Sequence, residues 1–178
     1  MKSWYKIAQQ IYRGDPTPIS MDQYDVEYAL KQNVKSLGQI FAYGPGIYFA
    51  SHKDVAEMYG ANITQKELKN DANMLTENMP PLNKKVIISI LQGIDPEKLE
   101  TAASSWDENY QAGIKMVIDS IMNETNPVDQ LLSIWANVYF HQNPQNFMNV
   151  MSNKGIDGIV KTNNDVTFYV IYNLNVLG

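Results

Sequence analysis

Three stretches hold the residue types that could do chemistry. They are IYRGD at 11–15, GPGIYFASHKDVAEMYG at 44–60, and GIDGIVKTNNDVTFYVIY at 155–172. The first sets Arg13 beside Gly14 and Asp15. A guanidinium is a rigid fork of donors that suits phosphate. The second sets Gly44 and Gly46 before Tyr48, with Tyr59 eleven residues further on. Glycine lets backbone approach a ligand closely, and tyrosine faces stack flat rings and attract cations. The third carries two acids, Asp157 and Asp165. His52 and His141 are far apart, and the chain has no cysteine, so no metal site is expected.

Elements must position these residues. QQIYRGD (9–15) reads as a short strand running into a Gly-Asp-Pro turn, and IYFA (47–50) has strand composition. Ser51 followed by Asp54 matches a capping box, which predicts a helix over 52–59 with Val55 and Tyr59 on one face and Gly60 as its stop. A helix is plausible over 22–33, with Val26 and Leu30 four apart. Residues 61–83 are polar, contain Pro80-Pro81, and read as loop with some helix. KKVIISILQGI (84–94) reads as the clearest buried strand. Ile114, Val117, Ile118, Ile121 and Met122 repeat at helical spacing. Asn126 and Pro127 start another helix, whose stripe includes Leu131, Trp135 and Val138. A shorter helix follows Asn143-Pro144 and stops near Gly155, and the end reads as strand, Asn-Asn-Asp turn, strand.

Strands at both ends and in the middle, with helices between, predict one α+β domain over 1–178 with a helical insertion at about 97–153. The bulk numbers agree. The 178 residues suit one domain with a real core, and 44% hydrophobic against 19% charged residues describes a globular chain. A net charge of −5 disfavours non-specific nucleic-acid binding. Without cysteines, disulfides and thiolate catalysis are excluded. MKSWYKIAQQ lacks the apolar core of a signal peptide, so a cytoplasmic protein with no membrane contact is expected.

Taken together, the three stretches resemble the ADP-ribosyltransferase superfamily, nearest to its poly(ADP-ribose) polymerase-like and phage-type branches. GPGIYFA followed by DVAEMYG is the specific part; IYRGD and the late strand–turn–strand are short. The resemblance implies a split β-sheet core and NAD as cofactor. It implies that Tyr48 and Tyr59 bracket the nicotinamide ring, and that the backbone of Gly14 bonds the carboxamide. Gly44 and Gly46 would let backbone approach the dinucleotide, Arg13 would hold a ribose hydroxyl or the pyrophosphate, and Ser51 would border the cofactor.

The implied chemistry is cleavage of the nicotinamide–ribose bond through an oxocarbenium-like state, which an acid near the ribose 2′-hydroxyl would steady. Here the chain departs from the family. The usual glutamate position falls at Thr167 or Phe168, so Asp165 is the first candidate and Asp157 the second. Ala56 stands where the polymerase branch has a serine that contacts the carboxamide. Mono-ADP-ribosyl transfer to a protein acceptor is therefore expected rather than polymer formation. A nucleic-acid acceptor stays open, a monomer is expected, and the branch points to a phage or mobile-element effector acting on a host or defence protein. Two other readings stand beside it: a module that keeps the fold and binds NAD or a partner without catalysis, and hydrolysis of NAD with water as acceptor.

Each residue also has a plain structural reading. Tyr48 can be a half-buried strand residue, and Tyr59 a packing residue at a helix end. Arg13 and Asp15 can form a surface ion pair worth under about 1 kcal/mol. Asp165 can be ordinary turn chemistry, Ser51 a helix cap, and His52 a surface residue at a helix start.

Overall fold

A computed structural model describes residues 9–18, 46–76, 85, 88–89, 119 and 144–178. They form an α+β unit: strands β1 (Gln9–Asp15) and β2 (Ile47–Ala50), helix α1 (Lys53–Glu57), strands β3 (Asn62–Leu68) and β4 (Met74–Leu75), helix α2 (Pro144–Asn153), and strands β5 (Gly158–Asn163) and β6 (Val166–Ile171). A 3-10 turn at Leu174–Val176 follows. The strands join into one six-stranded sheet in the order β3-β1-β2-β6-β5-β4, antiparallel except for the parallel pair β4–β5.

The sheet has a weak seam. β1 pairs with β3 along seven positions, from Gln9↔Leu68 to Asp15↔Asn62. β2 pairs with β6 along its whole length, from Ile47↔Ile171 to Ala50↔Phe168. Between these blocks, β1 and β2 share a single registered pair, Tyr12↔Ala50.

Registered partners share a face, and neighbours alternate. Tyr12, Gly14, Tyr48, Ala50, Phe168 and Val170 therefore lie on one face, and Ile11, Arg13, Asp15, Ile47, Phe49 and Ile171 on the other. Both faces are covered: Val170 and Ile159 on the first, and Ile11, Ile47 and Ile171 on the second, have no exposed surface. Each such side chain contributes about 1.5–3 kcal/mol.

Helix α2 buries Phe147, Met148 and Met151, and Phe147 meets Tyr172 edge to face at 5.4 Å. Gly155 follows it at φ 75°, the left-handed stop that a glycine allows. Hairpin β5–β6 turns through Asn164 and Asp165, with Asn164 at φ 53°. An asparagine tolerates that region well.

Several expectations are corrected. Residues 62–68 are a strand rather than loop, because β1 offers a full-length antiparallel partner that outweighs a polar composition. Lys85, Ile88 and Ser89 are helical, with Lys85 and Ser89 exposed, where a buried strand over 84–94 was expected. An apolar run of that length fits helix and strand alike by periodicity. Helix α1 covers Lys53–Glu57 rather than 52–59, and its N-cap is His52, which makes no side-chain capping bond. Within 97–153, Asp119 and α2 are helical. The expected helix at 22–33, the stripe with Trp135, and His141 and Gly44 lie outside the described residues. Among the described residues, no helix is long and apolar enough to cross a membrane.

Candidate functional site

The site assembles around the seam. By the register set at Tyr12↔Ala50, Gly14 stands at the level of Tyr48 across it. Helix α1 covers Gly14 closely: a Cβ there would collide with the Ala56 carbonyl and lie 2.8 Å from the Gly60 oxygen. Gly60 in turn sits on the backbone of Asp15 and Pro16, with no room for a Cβ. Its service is therefore close packing between α1 and β1, where the sequence suggested only a helix stop. Tyr59 lies beside this contact and is 44% exposed, while Tyr48 is half-buried. Gly14, Tyr48 and the turn carrying Tyr59 thus come from three separate segments to one neighbourhood.

The backbone of Gly14 has a definite direction. Glu67 exchanges both its backbone bonds with Gly178, at 2.8 and 3.5 Å, on the side of β3 away from β1. Hydrogen-bonded and non-bonded pairs alternate in an antiparallel ladder. Glu67↔Gln10 is thus a non-bonded pair, and so is Ile63↔Gly14, four residues along. The N–H and C=O of Gly14 consequently face β2. By the same alternation Tyr48 turns its N–H and C=O toward β1.

Arg13 occupies the other face of the seam. Its Nε donates to both carboxylate oxygens of Asp15, at 3.1 and 3.0 Å, and its Nη2 donates to Oδ1 at 2.8 Å. Its Nη1 donates to the Tyr48 carbonyl at 3.3 Å. The two side chains are 4% and 2% exposed. This corrects the surface-pair reading: the pair is buried.

Gly46 is buried, and a Cβ there would collide with Val170 Cγ1 and come 3.5 Å from the Tyr172 ring. Its missing side chain admits β6. Ser51 is corrected too. Its Oγ accepts from Thr167 N–H at 3.0 Å, and its own N–H donates to the Thr167 carbonyl at 2.8 Å. Ser51 thus extends the β2–β6 ladder instead of capping α1. Its Oγ also lies 2.8 Å from Nδ1 of the exposed His52.

The acids are elsewhere. Val170 stands opposite Tyr48, and Asp165 lies five residues earlier, exposed in the hairpin turn. That is about 16 Å along the strand at 3.3 Å per residue, so the structure does not bring Asp165 to Tyr48. Phe168, with Thr167 one of the two expected glutamate positions, shares the face of Tyr48 and stands opposite Ala50. Asp157 is occupied: it accepts from Asn73 N–H and from Asn173 Nδ2, both at 2.8 Å, and so fastens the β4 entry to the end of β6. Among the described strands, Glu67 is the one acid on the face of Tyr48, and it stands opposite Gln10, four residues from the level of Gly14.

The sequence reading missed Ala56 and Gly60 as packing partners of Gly14. Small residues recurring where three segments meet were the available signal. At the seam Gly14 and Tyr48 stand level, each with its backbone groups turned toward the other strand. No family model matches the chain, and neither a curated protein nor a solved structure matches it.

Proposed function

We propose that this chain is an NAD-using mono-ADP-ribosyltransferase of the phage-type kind, acting in the cytoplasm on a macromolecular acceptor, most readily a protein. The supporting observation is the seam, where Gly14 backbone, Tyr48 and the turn carrying Tyr59 meet although they lie far apart in sequence. In this reading the carboxamide bonds Gly14, and the ring lies against Tyr48 with Tyr59 closing over it. A cationic ring gains stacking and cation–π attraction from each phenol. The bond between ribose C1′ and the nicotinamide nitrogen breaks, the acceptor bonds C1′, and the acceptor's proton leaves to solvent.

A second reading has its own support. The expected glutamate position falls at Thr167 or Phe168, neither of them an acid, and Asp165 is remote from the seam. Both features favour a module that binds NAD, or a partner bearing ADP-ribose, without turnover.

One experiment separates them. Labelled NAD is incubated with a cell lysate and either the wild type, Tyr48→Ala or Asp165→Ala, alongside calorimetry with NAD. Labelled macromolecules that vanish with Tyr48→Ala support transfer. Loss of label with Asp165→Ala would return that residue to the reaction. NAD binding with no label and no free ADP-ribose selects the binding module, and free ADP-ribose alone selects hydrolysis. No NAD binding by the wild type overturns both proposals.

A further inference from the structure

We infer that Ser51 is a nucleophile activated by His52, just past the end of β2, and that it takes the acyl group of a small neutral carboxylic ester. The hydroxyl of Ser51 is held from two sides. Its backbone N–H donates to the Thr167 carbonyl at 2.8 Å, which carries the register Ala50↔Phe168 one residue further. Thr167 N–H comes back to Ser51 Oγ at 3.0 Å. Nδ1 of His52 lies 2.8 Å from the same Oγ. In a neutral imidazole that carries its hydrogen on Nε2, Nδ1 accepts. Oγ then spends its hydrogen on the base and one lone pair on Thr167, and keeps its second lone pair for an electrophile.

This is the nucleophile-and-base arrangement that acyl transfer uses. The Thr167 bond fixes the Ser51 rotamer and favours the oxygen as its proton leaves. His52 is the N-cap of α1 but makes no side-chain capping bond there. It is exposed and Ser51 is half-buried, so a small reagent can reach the pair. The surroundings select the electrophile. Asp54 lies two residues beyond His52, Asp165 lies two before Thr167, and Lys53 is 3.7 Å from Glu57. Carboxylates around an exposed hydroxyl repel phosphorylated donors, whereas a neutral ester meets no such field. In the reaction Oγ bonds the carbonyl carbon and its proton passes to Nδ1. The carbon–oxygen bond to the alcohol breaks, the alcohol leaves with that proton, and Ser51 holds the acyl group as an ester. NAD takes no part.

The probe is p-nitrophenyl acetate. Wild type, His52→Gln and Ser51→Ala are each treated, and acetylated positions are followed in time by peptide mass spectrometry. A general base is worth about a hundredfold or more. In wild type Ser51 should therefore gain acetyl at least about a hundredfold faster than the other serines of the chain. His52→Gln keeps an acceptor for the hydroxyl but cannot take its proton, so Ser51 should fall there to the rate of the other serines. Ser51→Ala should lose the fast release of p-nitrophenol. Acetylation of wild-type Ser51 no faster than the other serines overturns the proposal, whether or not the variants fold. So does acetyl on His52 with Ser51 unmodified, and so does an unchanged Ser51 rate in His52→Gln. Equal Ser51 rates in folded and urea-unfolded wild type also overturn it, because the Thr167 bond would then play no part.

Discussion

Removing one member of the Arg13–Asp15 pair should be far more damaging than removing both. The side chains are 4% and 2% exposed, and three guanidinium–carboxylate bonds of 2.8 to 3.1 Å join them. Asp15→Leu removes the carboxylate that accepts three guanidinium bonds and leaves the buried charge of Arg13 without that counter-ion. Stranding a buried charge costs about 3–5 kcal/mol. A chain of 178 residues loses roughly 2–4 °C of midpoint per kcal/mol, so the expected fall is about 6–20 °C. Arg13→Met should cost a similar amount by stranding the carboxylate. In the double variant no charge is buried, and apolar replacement of a buried pair is often neutral. It should therefore sit within about 2 kcal/mol of wild type. The assay is a double-mutant cycle by urea unfolding, with thermal midpoints as a check. Single effects that add to the double within about 0.5 kcal/mol would refute the reasoning, because independent sites are the ones that add. Single variants of unchanged stability would show that the two groups are in water.

Other perturbations have equally definite outcomes. Gly14→Ala and Gly60→Ala each force a methyl into backbone, of α1 in the first case and of Asp15 in the second. Overpacking of this kind costs about 1–3 kcal/mol, and circular dichroism melting should show both variants below wild type. Asp157→Ala removes the acceptor of Asn73 N–H and Asn173 Nδ2. It should cost about 1–3 kcal/mol and expose the Asn73 amide to exchange. Desolvation by burial raises the Tyr169 phenol above the ordinary tyrosine value of about 10. The unfolded chain then releases that proton first, so the stability held by neutral Tyr169 is intact below pH about 10 and is lost as pH climbs toward the raised value. Tyr169→Phe should flatten the alkaline fall in unfolding free energy; an unchanged slope would place the phenol in water.

Local features of the chain were readable, and its long-range partnerships were not. β1 and β2 fell at their expected bounds because short runs rich in β-branched and aromatic residues carry their own signal. The Asn-Pro start of α2, its glycine stop and the final hairpin were equally legible, since each rests on turn or cap chemistry within a few residues. β3 was hidden, because NITQKEL takes its strand form from pairing with β1 rather than from its own composition. Ser51 misled for a related reason. Its hydroxyl had two possible employers, the α1 amides and Thr167, and only the β2–β6 register decides between them. Arg13 and Asp15 could have been placed better, since two residues apart on a strand share a face. With Ile11 on that same face, the alternation marked them as buried. The remoteness of Asp165 could not be read, because it depends on which β6 residue stands opposite Tyr48.

The seam is where this fold departs from consistency between its levels. A continuous sheet would close Gly14 onto Tyr48 and bury apolar side chains at 13 and 15. The chain instead places a charged pair there, and such a pair contributes little or nothing to stability compared with packed hydrocarbon. The guanidinium also reaches across the seam to the Tyr48 carbonyl at 3.3 Å. Nothing in the packing of β1 on β3 demands this, since that ladder is complete at all seven positions. A charged pair that adds little stability, set beside Tyr48 where three segments meet, is the kind of local departure expected at a functional site. The pair does not depend on the exposed turn acid Asp165, so the seam keeps that meaning for a binding module as well as for a transferase.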